Sequence, residues 1–177
     1  MIRAVRRHLR RFRRREDGSA TVEFSLLFLP MFSFLATATE VGMIHVNHAM
    51  LERAVDITVR DIRLGTGAAP QHNEIRQDIC DRAGFIKECS DLKLEMVQLD
   101  PYSFQSPPTD IDCADRSEDV TPARSFVNGA SNELMFLRAC AKFEPVFPTL
   151  GMGDNLVKDG AGMYALVATS AFVQEPR

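Results

Sequence analysis

One carboxylate interrupts an otherwise apolar stretch. From Ser19 to Thr39 the sole charge is Glu23, and a block of arginines precedes it. The stretch is close to the ~20 residues that a helix needs to cross the hydrocarbon of a bilayer. A charge at the centre of such a helix costs on the order of 2.5–3.5 kcal/mol even on lenient insertion scales. Any reading of the chain must therefore say what compensates Glu23. The charge of the chain is divided to match. Residues 1–17 hold eight Arg against two acids, whereas the rest holds 13 basic against 22 acidic residues. Arginines before an apolar run place that end in the cytoplasm, with the acidic remainder across the membrane. A solvated tail or nucleic-acid arm is the rival reading of the arginines, and the adjoining apolar run argues against it.

Three readings fit the run. The first is a secretory signal peptide, with Ala36-Thr37-Ala38 as its small-residue cleavage site. The second is a plain membrane anchor. The third is a prepilin-type leader, cut after Gly18 with the apolar segment retained. Only the third uses Glu23. Cleavage would leave a new α-amino group on Ser19, about one helical turn away, for Glu23 to pair with in cis or on a neighbour. Gly at the cut suits a protease cleft that needs close backbone approach.

The segment Gly18-Ser19-Ala20-Thr21-Val22-Glu23-Phe24, followed by an apolar run, resembles the N-termini of TadE/TadF-like proteins, minor pseudopilins of the Tad (Flp-type) pilus system. The ending Tyr164 to Pro176 is similar to that family as well, more weakly. The resemblance implies cleavage by a prepilin peptidase between Gly18 and Ser19. It also implies an assembly role for Glu23 and the adjacent Phe24, with other pilins and pseudopilins as partners. The implied location is the bacterial inner membrane, single-pass, with a cytoplasmic N-terminus and a periplasmic C-terminal part. The expected function is participation in assembly of a Tad-type pilus used in adherence. Two other functions stay open. One is a secreted binding or enzymatic domain cut near Ala38, and the other an unprocessed membrane-anchored envelope scaffold.

Beyond the membrane the helix should continue. Val41, Ile44, His48, Leu51, Val55, Val59 and Ile62 recur at three- and four-residue steps. Gly65-Thr66-Gly67 and Pro70 should end it, giving a helix from about Val22 to Leu64 with a kink at Pro30. The expected organisation is a basic leader (1–18), a membrane helix (19–40), its extramembrane continuation (41–65) and an α+β domain (66–177). In that domain the pattern predicts a helix over Asn73–Ala83 with Asn73 as N-cap. It predicts strands at Leu92–Met96, Met135–Phe143 and Met163–Val173, forming an antiparallel sheet covered by the helical stripe. Residues 101–132 read as a long polar loop. Pro145 to Gly153 reads as a loop that tucks Phe147 and Leu150 into the core, with a contact loop as the alternative.

Four cysteines, Cys80, Cys89, Cys113 and Cys140, all follow the membrane run, and an even number there favours disulfides. Three connectivities are possible. Cys80–Cys89 with Cys113–Cys140 is favoured, since the first closes a short helix-to-strand loop and the second ties the long loop to a strand. Zinc-type spacing and C-x-x-C are absent. His45 and His48 are three apart on the helix but lack an HExxH frame and read as interfacial polar residues; His72 falls in a loop. Gly153-Asp154 to Asp159-Gly160 lacks the alternating acids of a calcium loop and reads as a turn. No Walker loop, nucleophile elbow or dinucleotide fingerprint is present. No cofactor, metal, nucleic acid, small-molecule substrate or enzymatic activity is expected.

Overall fold

A computed structural model describes residues 19–64, 71–103, 113 and 126–176. The basic leader with Gly18, the expected helix stop at Gly65 to Pro70 and most of the 101–132 loop lie outside them. Helix α1 spans Ser19–Leu64 and includes Pro30. Helix α2 (His72–Ala83) follows, then β1 (Leu92–Leu99), β2 (Leu134–Phe143), the single-turn α3 (Met152–Asn155) and β3 (Tyr164–Val173). The strands form one antiparallel sheet in the order β1-β2-β3. The fold is α+β, a long apolar N-terminal helix followed by a small disulfide-linked sheet domain.

The sheet's inner face is set by register. Leu92, Ala141 and Leu166 stand side by side, as do Leu94, Ala139 and Ala168. All six are buried against Leu51, Val55, Val59 and Ile62 of α1 and Ile75, Ile79 and Ala83 of α2. The apolar period of α1 thus does what a 3.6-residue repeat predicts. Small residues at Ala139, Ala141 and Ala168 leave room for the helix face, and large ones fill the ends.

Helix α1 runs alongside β3 in the same direction. The loop before β3 touches Glu40, the His48 ring donates from Nε2 to the carbonyl of Val167 at 3.1 Å, and Gln174 donates to the carbonyl of Ile62 at 3.2 Å. The last bond supplies a partner for one of the orphan carbonyls at the helix end.

Several local expectations change. Helix α2 is capped by Gln71, not Asn73. The Glu74 carboxylate reaches back to the Gln71 N–H at 2.9 Å within a capping box, and Asn73 lies inside the helix. His72 is the first helical residue, its ring edge-on to Phe126 at 5.1 Å. Gly84 closes the helix with φ 70°, a left-handed position that glycine fills without strain. Strand β1 runs three residues further than Met96, to Leu99. Strand β2 is buried on both faces, with Arg138 and Cys140 in the interior.

Candidate functional site

The first third of α1 is an apolar rod. Val22, Leu26, Leu27, Leu29 and Phe34 are exposed. Phe24, Phe28 and Phe32 stack along it with centroids 5.4 and 5.8 Å apart, the spacing that four-residue steps produce. Ser25 and Thr39 return their hydroxyls to the carbonyls of Thr21 and Leu35, so neither seeks an outside partner. Glu23 stands exposed in this segment, and Ser19 is the first helical residue. The helix is long and apolar enough to cross a membrane.

The rod does not leave its own domain at the end of the apolar run. Glu40 is 0% exposed. Its two carboxylate oxygens accept the backbone N–H of Val146 at 3.2 Å and of Phe147 at 2.8 Å. A carboxylate held by two backbone donors is a charge-assisted clasp, stronger than a neutral pair. The approach is close because glycines permit it. A Cβ on Gly153 would collide with the carbonyl oxygen of Phe147, and one on Gly151 with Oγ1 of Thr37. Gly151 also has φ 60°, which favours glycine. Sequence reasoning passed over Glu40, since an acid at the end of an apolar run reads as the point where a helix leaves the membrane.

Tyr164 lies beside the clasp. Its hydroxyl is buried and makes no hydrogen bond among the described residues. Burial pushes its phenol well above the usual range, and the negative Glu40 adds to the effect.

Charged residues order the rest of the β2–β3 loop. Lys158 donates to the carbonyls of Pro148 at 2.8 Å and Gly153 at 2.7 Å. Asp159 accepts from Lys142 at 2.7 Å and from the N–H groups of Ala161 at 3.0 Å and Met163 at 2.9 Å. The side chains of Lys142 and Asp159 are 8% and 7% exposed. Burial opposes the charge on Asp159, yet the lysine and the two backbone donors outweigh it and hold the carboxyl below its ordinary value. The segment Gly153–Gly160 therefore serves as a built turn around Asp159. Phe147 and Leu150 are half-buried, and the backbone of the loop, more than its side chains, is what the helix grips.

On the outer face of the sheet Arg138 pairs with Glu95 at 3.2 Å and lies 5.3 Å from the centroid of the Phe136 ring. Disulfides join Cys80 to Cys89 and Cys113 to Cys140. The first lies beside Asp81, but sulfurs bonded to each other offer no thiolate for a metal. His45 is exposed, while His48 is a staple between helix and sheet. At the opposite end of the sheet Gln98, Leu99, Tyr102, Asn132, Glu133 and Val173 line an open groove of about 360 Å³. None of these six is a metal-binding His or Cys.

These features define a class: a protein with one apolar N-terminal helix suited to anchoring it in a membrane, clasped to a small disulfide-bonded α+β head. Residues 18–60, about a quarter of the chain, match the family model described as TadE-like protein, a TadE-like domain that takes in the apolar rod and all of the helical stripe but Ile62. That domain supports a protein related to the Tad pilus, and the family is one of pilus components rather than enzymes. No curated protein and no solved structure matches the chain.

Proposed function

We propose that this chain is a minor pseudopilin that takes part in assembling a Tad-type pilus. It is inserted in the bacterial inner membrane with its arginines in the cytoplasm and its head in the periplasm, and a prepilin peptidase cuts it after Gly18. The observation that carries this reading is the position of the TadE-like match. It starts at Gly18 and follows the helix from its exposed apolar rod into its buried stripe.

The clasp favours retention of the helix over secretion. A cut near Ala38 would remove Ala36, which is buried, and Thr37, which meets Gly151. It would also leave Glu40 at a frayed helix start, where its hold on the loop would weaken. On an ideal helical wheel the Phe24-Phe28-Phe32 ladder lies about 140° around α1 from the face that meets the head. That side remains open to a neighbouring pilin helix. Glu23 would neutralise the ammonium of Ser19 within such a bundle.

The test is the mature N-terminus, read by intact mass and terminal sequencing from membranes of cells with an active prepilin peptidase. A start at Ser19 supports the proposal. A start at Thr39 makes the chain a secreted domain and overturns it. An intact Met1 overturns processing and leaves an anchored scaffold.

A further inference from the structure

A helix crosses hydrocarbon in ~20 residues. Counted from Ala20, the first residue of the apolar rod, such a span extends to Thr39. Yet Gly151 lies against Thr37 and near the backbone of Ser33, and Glu40 grips Val146 and Phe147. The β2–β3 loop therefore lies beside the last two turns of the span, not beyond them. Ser33 to Glu40 covers ~10 Å along the helix axis, close to the ~5–10 Å depth at which interfacial segments bury apolar side chains.

The loop is built for that depth. Val146 (46%), Met152 (40%) and Val157 (93%) are exposed aliphatic side chains within it. Its inward polar groups are satisfied internally, the carbonyls of Pro148 and Gly153 by Lys158 and the N–H groups of Val146 and Phe147 by Glu40. Internal satisfaction is what backbone needs where water is scarce.

We propose that this loop is a shelf seated in the lipid headgroup layer, with Val146, Met152 and Val157 as its lipid-facing side chains. The proposal rests on α1 spanning the membrane. Lipid is the occupant because the depth of the loop is fixed by the chain's own span, so the loop meets lipid wherever the protein is inserted. The shelf fixes how deep the helix sits and resists its sliding outward.

The chain contains no Trp, so a single introduced Trp reports without background. Val157→Trp, Leu27→Trp and, at the far end of the sheet, Tyr102→Trp are each placed in the full chain, in vesicles of phosphatidylethanolamine and phosphatidylglycerol carrying brominated acyl chains. Leu27, Val157 and Tyr102 are all exposed, so none of the three replacements disturbs the core. The expected result is strong quenching at position 27, blue-shifted emission at 157 with quenching about threefold above that at 102, and water-like emission at 102. Val146→Trp should repeat the result at 157. Quenching at 27 with water-like emission at 157 overturns the shelf and leaves the span intact. No quenching at 27 overturns the span and the shelf together. Blue-shifted but unquenched emission at 157 assigns the surface to a protein neighbour or a second copy and overturns lipid as its occupant.

Discussion

Glu40 and Phe147 are 107 residues apart in sequence and joined at 2.8 Å, carboxylate to backbone N–H. The bond ties the end of the apolar run to the loop between the last two strands. Replacing Glu40 with Ala leaves two backbone donors without a partner and should destabilise the head by about 2–4 kcal/mol. Gln keeps one acceptor oxygen and should cost roughly half as much. Urea unfolding of the full chain in micelles measures both, and tryptic cleavage at Lys158 should quicken in step. An unchanged midpoint for the Ala variant would show that the clasp contributes nothing.

Tyr164→Phe should be neutral, or stabilising by up to about 1 kcal/mol, since the hydroxyl it removes is buried without a hydrogen bond among the described residues. Thermal unfolding decides this. A loss above about 2 kcal/mol would mean that the hydroxyl has a partner in solution.

Acid should loosen the β2–β3 loop. The carboxyl of Asp159 has its folded-state pKa depressed from an ordinary 3.8. A depressed carboxylate contributes stability above its unfolded value and loses it as pH falls through the folded one. The urea midpoint should therefore be insensitive to Asp159 from neutral pH down to about 4 and decline below it. The Asp159→Asn variant should start lower and show a shallower acid decline. Equal slopes for the two proteins would remove Asp159 from the account.

On the proposed reading, Glu23→Ala should abolish pilus assembly while leaving processing largely intact, because the proposed cut follows Gly18, five residues upstream of the acid. Gly18→Leu should block processing outright. Pilus counts by electron microscopy and immunoblots of the processed band separate the two effects. Normal pili in the Glu23 variant would dismiss its pairing with the new N-terminus.

What could be read in advance follows from where the information lies. Leu51, Val55, Val59 and Ile62 repeat with the helical period, and that local pattern survives into the core unchanged. The strands were legible for the same reason. Arg138 is buried in its strand because it pairs with Glu95, a contact 43 residues away that no local pattern announces, whereas the Cys113–Cys140 bond is the pairing that the cysteine positions favoured. The cap of α2 went to Gln71 instead of Asn73 because Glu74 reaches back to it, a shift of two residues that composition does not encode. Glu40 was illegible in principle. Its role depends on two backbone groups more than a hundred residues downstream and on glycines small enough to admit the approach.

The head is fastened to α1 at three heights, by Glu40 below, His48 midway and Gln174 above. The helix is continuous from Ser19 to Leu64, so the rod beyond Pro30 and the head behave as a single crank. Turning the rod about its axis in the bilayer sweeps the sheet through the same angle. An axial pull on the rod loads the β2–β3 loop, strand β3 and the residue that follows it through those three bonds together. A neighbour that grips the rod therefore sets which way the head faces.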